Sequence, residues 1–305
     1  VFRHLLVPLD GSHLAEAALP SAAALARRLD ARVTLLHVIE RRAPTMVHGE
    51  PHLSQPAEAE SYLKEVARWL SVRGVQADSL VDPDGEDVAG SIASRASDLG
   101  ADLAVLCTHG RSGLRALLFG RVAQQVLGRG TVPVLLVLPS PAGREQPFVC
   151  RHLLVPLDGS EMAERGLPAA TLIARAFGAE VLLMWVVPTA VTVSGERAAA
   201  TKLMPTAAAA LLDAEAAQAT SYLEEVRSRL QTEGVAVLAT VKRGEPVRVL
   251  QETVTMEAMD LIVMATHGRS GAAAAWTGSI ASRMLAHITR PILLIRIPES
   301  SARPD

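Results

Sequence analysis

The pentapeptide Pro8-Leu9-Asp10-Gly11-Ser12 returns unchanged as Pro156-Leu157-Asp158-Gly159-Ser160. In each copy an apolar run delivers a carboxylate into a glycine turn, where it can meet a polar ligand or simply shape the turn. The serine can cap the helix that follows. A second pair of segments lies about a hundred residues further on: Thr108-His109-Gly110-Arg111-Ser112-Gly113 returns as Thr266-His267-Gly268-Arg269-Ser270-Gly271. Nine residues separate Gly110 from Gly120, and nine separate Gly268 from Gly278. Glycine lets a backbone turn until several N–H groups converge, and a helix start adds unpaired N–H groups and a favourable dipole, so such a loop can cradle phosphate. His109, Arg111, His267 and Arg269 could act as acid, base or charge stabiliser, but nothing supplies a third partner. Fixing the loop or binding phosphate passively is the better reading, and no catalytic residue is assigned. His37, His48 and His52 lack the tight spacing of a zinc site and are expected at the surface. Trp185 is expected in the core or as a pocket wall.

These segments need elements that bring them to one edge. The decamer RHLLVPLDGS occupies residues 3–12 and 151–160, so one unit is present twice, offset by 148. In the first copy, apolar runs and helical spacing predict strands at 4–9, 33–39, 75–81, 103–107 and 132–138. Helices are predicted at 14–29, 57–73, 86–99 and 120–129, with a long polar loop at 40–56. The second copy repeats the order, with strands at 152–157, 180–187, 235–241, 261–265 and 292–297. Ser61-Tyr62-Leu63 returns as Ser221-Tyr222-Leu223, an offset of 160, so twelve residues enter around 189–210, as a flexible lid or as a lengthened helix. Strands alternating with helices require right-handed crossovers and a mainly parallel sheet covered on both faces. The reading is an α/β chain of two domains, 1–139 and 150–298, joined by a linker at 140–149 and followed by a tail at 299–305.

Composition narrows the partners. With 30 Lys and Arg against 32 Asp and Glu, the formal charge is -2, which offers no basic footprint for nucleic acid and no polybasic membrane patch. No apolar stretch approaches the roughly 18 residues of a membrane span. Cys107 and Cys150 fall in unlike contexts, suggesting neither a disulfide framework nor a metal spacing. A reducing cytoplasm is expected.

Over nearly its full length, each half resembles the universal stress protein family in a tandem arrangement. The resemblance rests on the Pro-x-Asp turn and on the loop pattern G-x-x-G, nine residues, G-[ST]. It implies two Rossmann-like domains of the adenine nucleotide alpha hydrolase type, each a five-stranded parallel sheet flanked by helices. It also implies ATP as ligand, with Mg²⁺ the ion expected beside its phosphates. By resemblance, Pro8 and Asp10, or Pro156 and Asp158, lie beside the adenosine, and Val38 or Val186 flanks adenine. Leu106, Gly110, Gly120, Arg121 and Val122 complete the first site. Met264, Ala265, Gly268, Gly278, Ser279 and Ile280 complete the second. No metal ligand is assigned. The pattern is broken in two places: the first loop glycine is Cys107 or Ala265, and the serine after the last glycine survives as Ser279 but is Arg121 in the first half. An arginine there can pair a phosphate bidentately or fill its place, so the second site is the more secure.

Three functions from different classes fit these residues. The first is an ATP-binding regulator of the stress response, without rapid turnover, acting on an unidentified protein partner. The second is a slow ATPase on the same pockets, although both the Ser-Gly-Gly-x-Asp-Ser loop of ATP pyrophosphatases and a G-x-x-x-x-G-K-[ST] loop are missing. The third is a scaffold whose pockets have lost nucleotide in one or both halves. Single-unit family members pair through their last strand. The resemblance therefore implies an intramolecular pseudo-dimer through residues 132–138 and 292–297, and leaves open a further pairing of two chains.

Overall fold

The computed structural model describes residues 2–41, 46–47, 50–108, 121–140, 143–193, 199, 203–267, 280–286 and 289–297. The chain divides into two compact units. The first comprises Val1–Val149, Thr266–Ala275 and Pro291–Asp305, and the second Cys150–Ala265 and Trp276–Arg290. Strands of the first repeat are β1 (His4–Pro8), β2 (Arg32–Glu40), β3 (Met46–Val47), β4 (Glu50–Pro51), β5 (Ala77–Gly85), β6 (Leu103–Cys107) and β7 (Val134–Val137). Those of the second are β8 (His152–Pro156), β9 (Glu180–Val187), β10 (Ala236–Arg243), β11 (Leu261–His267) and β12 (Ile292–Ile297).

In the first unit the order β5-β2-β1-β6-β7 is parallel throughout. Strand β12 adds antiparallel to β7, with Ile292 opposite Leu136 and Leu294 opposite Val134. The second unit carries β10-β9-β8-β11, again parallel. Parallel strands covered on both faces read as unbroken apolar runs. Leu5, Leu6 and Val7 in β1 and Leu153, Leu154 and Val155 in β8 are accordingly fully buried. Each such side chain contributes roughly 1.5–3 kcal/mol by leaving water. An aspartate pins the start of each first strand: Asp102 accepts from the Arg3 and His4 N–H groups at 2.7 and 3.0 Å, and Asp260 from those of Arg151 and His152 at 2.7 and 3.1 Å. The matching helices Leu19–Leu29 and Leu167–Phe177 both carry proline in their first turn. Both end on a left-handed residue, Asp30 in one and Gly178 in the other.

The structure refines the expectations drawn from sequence. Strand β5 runs on to Gly85 through Pro83, which an edge strand tolerates because no neighbour needs its missing N–H. The 40–56 loop contains the small antiparallel hairpin β3–β4. Of the two alternatives for the twelve extra residues, the longer helix holds: Pro205–Thr232 has 28 residues against 17 in its counterpart Pro56–Val72, so eleven of the twelve are taken up there. Its buried positions Leu212, Ala219, Leu223, Val226 and Leu230 follow a three-four-seven spacing that keeps one stripe on the sheet, while Leu203, Met204 and Leu211 stay exposed. His37 and His52 are buried, not at the surface, because the chain just after the hairpin lies on β2, with the Leu53 carbonyl oxygen 3.1 Å from His37 Nε2 and His52 3.6 Å from Glu40; His48 lies outside the described residues. The segment expected as a linker includes a short turn at Gly143–Glu145 that lies on the first unit, its Arg144 reaching Glu65 at 2.9 Å and Glu16 at 3.6 Å.

Candidate functional site

In the first unit the chain leaves β1 toward β2 on one side, while β6 lies on the other. Strand order reverses there, and the carboxyl ends of β1, β2 and β6 frame a crevice of the kind in which open α/β sheets take ligands. Pro8 ends β1 opposite Leu36, and Leu6 pairs with Ala104, so Pro8, Val38 and Leu106 reach the same edge on adjacent strands. Strands β8, β9 and β11 repeat the arrangement, with Pro156 opposite Met184 and Leu154 opposite Ile262. Val186 and Met264 then occupy the matching edge positions.

Both aspartate turns have one geometry. Asp10 Oδ1 accepts from Ser12 N at 2.9 Å and from Ser12 Oγ at 2.6 Å; Asp158 Oδ1 accepts from Ser160 N at 3.0 Å and from Ser160 Oγ at 2.6 Å. Each serine oxygen in turn accepts from the backbone N–H three residues on, of Ala15 at 3.2 Å or Ala163 at 3.1 Å. The serine thus caps the next turn while orienting the carboxylate. Gly11 and Gly159 adopt positive φ of 89° and 78°, which L side chains rarely hold.

What lies over the turn differs. A methyl group on Gly159 would collide with Cη2 of Trp185, a residue of β9 that packs edge-on to Tyr222 with ring centroids 5.4 Å apart. On Gly11 it would stand 2.7 Å from Cδ1 of Leu53, which comes from the loop after the β3–β4 hairpin. The residue matching Trp185 is His37, whose Nδ1 lies 2.8 Å from the Leu9 carbonyl oxygen and whose Nε2 lies 3.1 Å from that of Leu53. Exposure differs accordingly. Asp158 and Ser160 are exposed and Val186 and Ala265 half-buried, whereas Asp10 is half-buried and Ser12, Val38 and Cys107 are buried.

Behind each turn stands a glutamate and tyrosine pair that recurs at matching positions, the one signal in sequence that could have found it. In the second unit the Tyr222 hydroxyl donates to Glu164 Oε1 at 2.9 Å and Arg229 Nη2 donates to Oε2 at 2.7 Å. Burial works to raise the Glu164 carboxyl, but these two bonds outweigh it and hold it below the ordinary value. In the first unit burial dominates and raises Glu16 despite Arg144 and His13 nearby. Burial, with Asp10 adding, also pushes the Cys107 thiol up to about 12, so at neutral pH it stays a neutral, weakly nucleophilic thiol.

Arg121 opens the helix Arg121–Arg129 and Ile280 opens Ile280–Leu285; Val122 and Ile280 are partly exposed there. Leu106 and Met264 are buried near the ends of β6 and β11. Gly110, Gly120, Gly268, Gly278 and Ser279, together with His109, Arg111 and Arg269, lie outside the described residues. Among the described residues, no helix is long and apolar enough to cross a membrane.

A family model described as the universal stress protein family matches residues 2–137 and again residues 150–296. This chain belongs to the universal stress protein family. As a tandem universal stress protein it is 30% identical over 149 residues to universal stress protein YxiE of Bacillus subtilis, covering 45% of this chain and 99% of that one. Universal stress protein MJ0531 of Methanocaldococcus jannaschii is 28% identical over 149 residues, covering 49% of this chain and 84% of its own length. A universal stress protein of Archaeoglobus fulgidus superposes with a TM-score of 0.67 at 18% identity, over 96% of this chain and 98% of that one. A putative universal stress protein of Pseudomonas aeruginosa gives 0.67 at 15% identity, over 97% and 94%. At such identities these two similarities speak to the fold.

Proposed function

We propose that this tandem universal stress protein binds an adenine nucleotide at the carboxyl edge of the sheet, chiefly in the second repeat, and acts as a nucleotide-dependent regulator of the stress response without rapid turnover. The observation that carries this reading is the Asp158 turn: a carboxylate oriented by Ser160 at a strand-order reversal, exposed, beside a half-buried Val186. Asp158 would meet the polar edge of the nucleoside and Val186 with Met264 its apolar face. The glycine loop 268–279 and the start of the helix at Ile280 would take the phosphates, where N–H groups and helix dipole favour anions. Mg²⁺ beside the phosphates would offset their charge.

The two repeats, with the boundaries read from sequence and a pairing through their last strands, belong to the same proposal. The antiparallel register of β12 on β7 supports that pairing. A cytoplasmic setting suits two buried free thiols.

The test is titration calorimetry with ATP on the full chain. Wild type is expected to bind, and Asp158→Ala to weaken binding at the second repeat by about tenfold or more, the loss of an oriented charged contact. A wild-type chain that takes up no ATP and carries none through purification would sink the proposal. Steady ADP release far above the Asp158→Ala background would replace it with the slow ATPase.

A further inference from the structure

The two repeats build the same turn and close it by different means. In the second, the cover is Trp185, part of strand β9 itself and therefore a fixed wall. In the first, the smaller His37 holds that position, and residues 50–53 of a loop supply the cover. Leu53 sits on Gly11, and its carbonyl oxygen lies at His37 Nε2. His13 N donates to the Glu50 carboxylate at 3.3 Å, and the buried His52 faces Glu40 at 3.6 Å. From the other side Gly143 packs on His13 and Arg144 reaches Glu16.

These two segments cover polar groups without satisfying them. His52 Nδ1, Tyr62 OH and Arg144 Nη1 are buried and without a hydrogen-bond partner, and Glu16 Oε2 meets Arg144 and His13 only at ion-pair distances of 3.6 Å; all belong to the straps or to the floor beneath them. In the second unit the matching Tyr222 is hydrogen-bonded to the matching Glu164, which also accepts from Arg229. Buried polar groups without hydrogen bonds are costly, so a cover that leaves its own groups and those beneath it poorly bonded is one the molecule can lift at low net cost. A wall built into a strand cannot be lifted without breaking the sheet.

We propose that the first repeat is self-occluded: residues 50–53, seated by Leu53 on Gly11 and assisted by Arg144, close its nucleotide edge, so that the chain takes one nucleotide in the second repeat until this strap is displaced. His37 and Trp185, at matching positions, decide which repeat accepts ligand. The inference rests on the nucleotide reading of the site, and its test separates the two.

The test uses the full chain with ATP as probe, and thiol labelling of Cys107 as a report that needs no nucleotide. Wild type is expected to bind one ATP, Asp158→Ala to bind it about tenfold or more weaker, Leu53→Ala to bind two, and the double variant to keep one site unweakened. Removing the strap restores a competent state, so affinity at the first repeat rises by about tenfold or more. Cys107, buried at that edge, is expected to label about tenfold faster in Leu53→Ala as the open fraction grows, while Cys150 is unchanged. Glu50→Gln, which loosens the strap at His13 and removes no apolar contact, should move both readouts the same way by less. Two equal sites in wild type, or Leu53→Ala with one site and unchanged Cys107 labelling, overturns the proposal. No ATP uptake by any variant defeats the nucleotide reading, and the labelling rates then decide the strap alone.

Discussion

Asp10 and Asp158 accept the same two hydrogen bonds, yet the glutamates behind them are shifted in opposite directions. Burial raises Glu16, so its folded value lies above its unfolded one. Its contribution to stability is complete below the unfolded value and is lost as pH rises through the raised value. Glu164 is held low by Arg229 and Tyr222 against the opposing effect of burial. Its contribution is present above the unfolded value and is lost as pH falls through the lowered one. Thermal unfolding from about pH 2 to pH 8 should therefore split the variants. Glu16→Gln is expected to gain on wild type as pH rises above the ordinary carboxylate range, and Glu164→Gln to lose ground as pH rises from strong acid into that range, with each gap closing at the acid end of its own window. Parallel profiles would mean that the two glutamates do not differ as their surroundings imply. The glutamates and tyrosines recur in both halves of the sequence. Which of them is bonded and which is only buried depends on Arg144 and Arg229, which come from unlike segments.

At the scale of elements, periodicity located the strands of the main sheet and most helices, though not the end of β5, because apolar runs in a parallel sheet and stripes on its covering helices are local patterns. It could not show what crosses between elements. Arg296 of β12 donates to the carbonyl oxygens of Leu127 and Gly128, the latter at 3.1 Å, and so caps the carboxyl end of the helix Arg121–Arg129 with a cation where the dipole favours one. The matching residue of the first repeat is Leu138. Arg296→Leu should cost about 1 kcal/mol, the worth of a charged hydrogen bond partly exposed to water. It should also speed amide exchange in residues 121–129 and leave the second unit's helices unaffected. Equal exchange in wild type and variant would remove Arg296 from the support of that helix. The β3–β4 hairpin was illegible for a related reason: two short strands in a polar loop carry no period, and its place is fixed by Leu53 and His37.

At the scale of the molecule, the last strand of the second repeat belongs to the first compact unit, where Ile292, Leu293 and Leu294 are buried against β7. Burying three branched side chains is worth roughly 1.5–3 kcal/mol each, a large part of a domain's stability. A chain ending at residue 290 also leaves β7 as a bare edge. Calorimetry is expected to show the first unit unfolding several kcal/mol more easily, and size exclusion to show association through that edge. A truncated chain as stable and as monodisperse as wild type would contradict this. The sequence alone determined the duplication, the α/β class, the two aspartate turns and their family, because these follow from local pattern and from residues repeated at a fixed offset. Only the tertiary structure decided that identical turns are unequal. The pentapeptide specifies its own hydrogen bonds, but what covers it arrives from β9 in one unit and from a distant loop in the other, and exposure is a property of those neighbours.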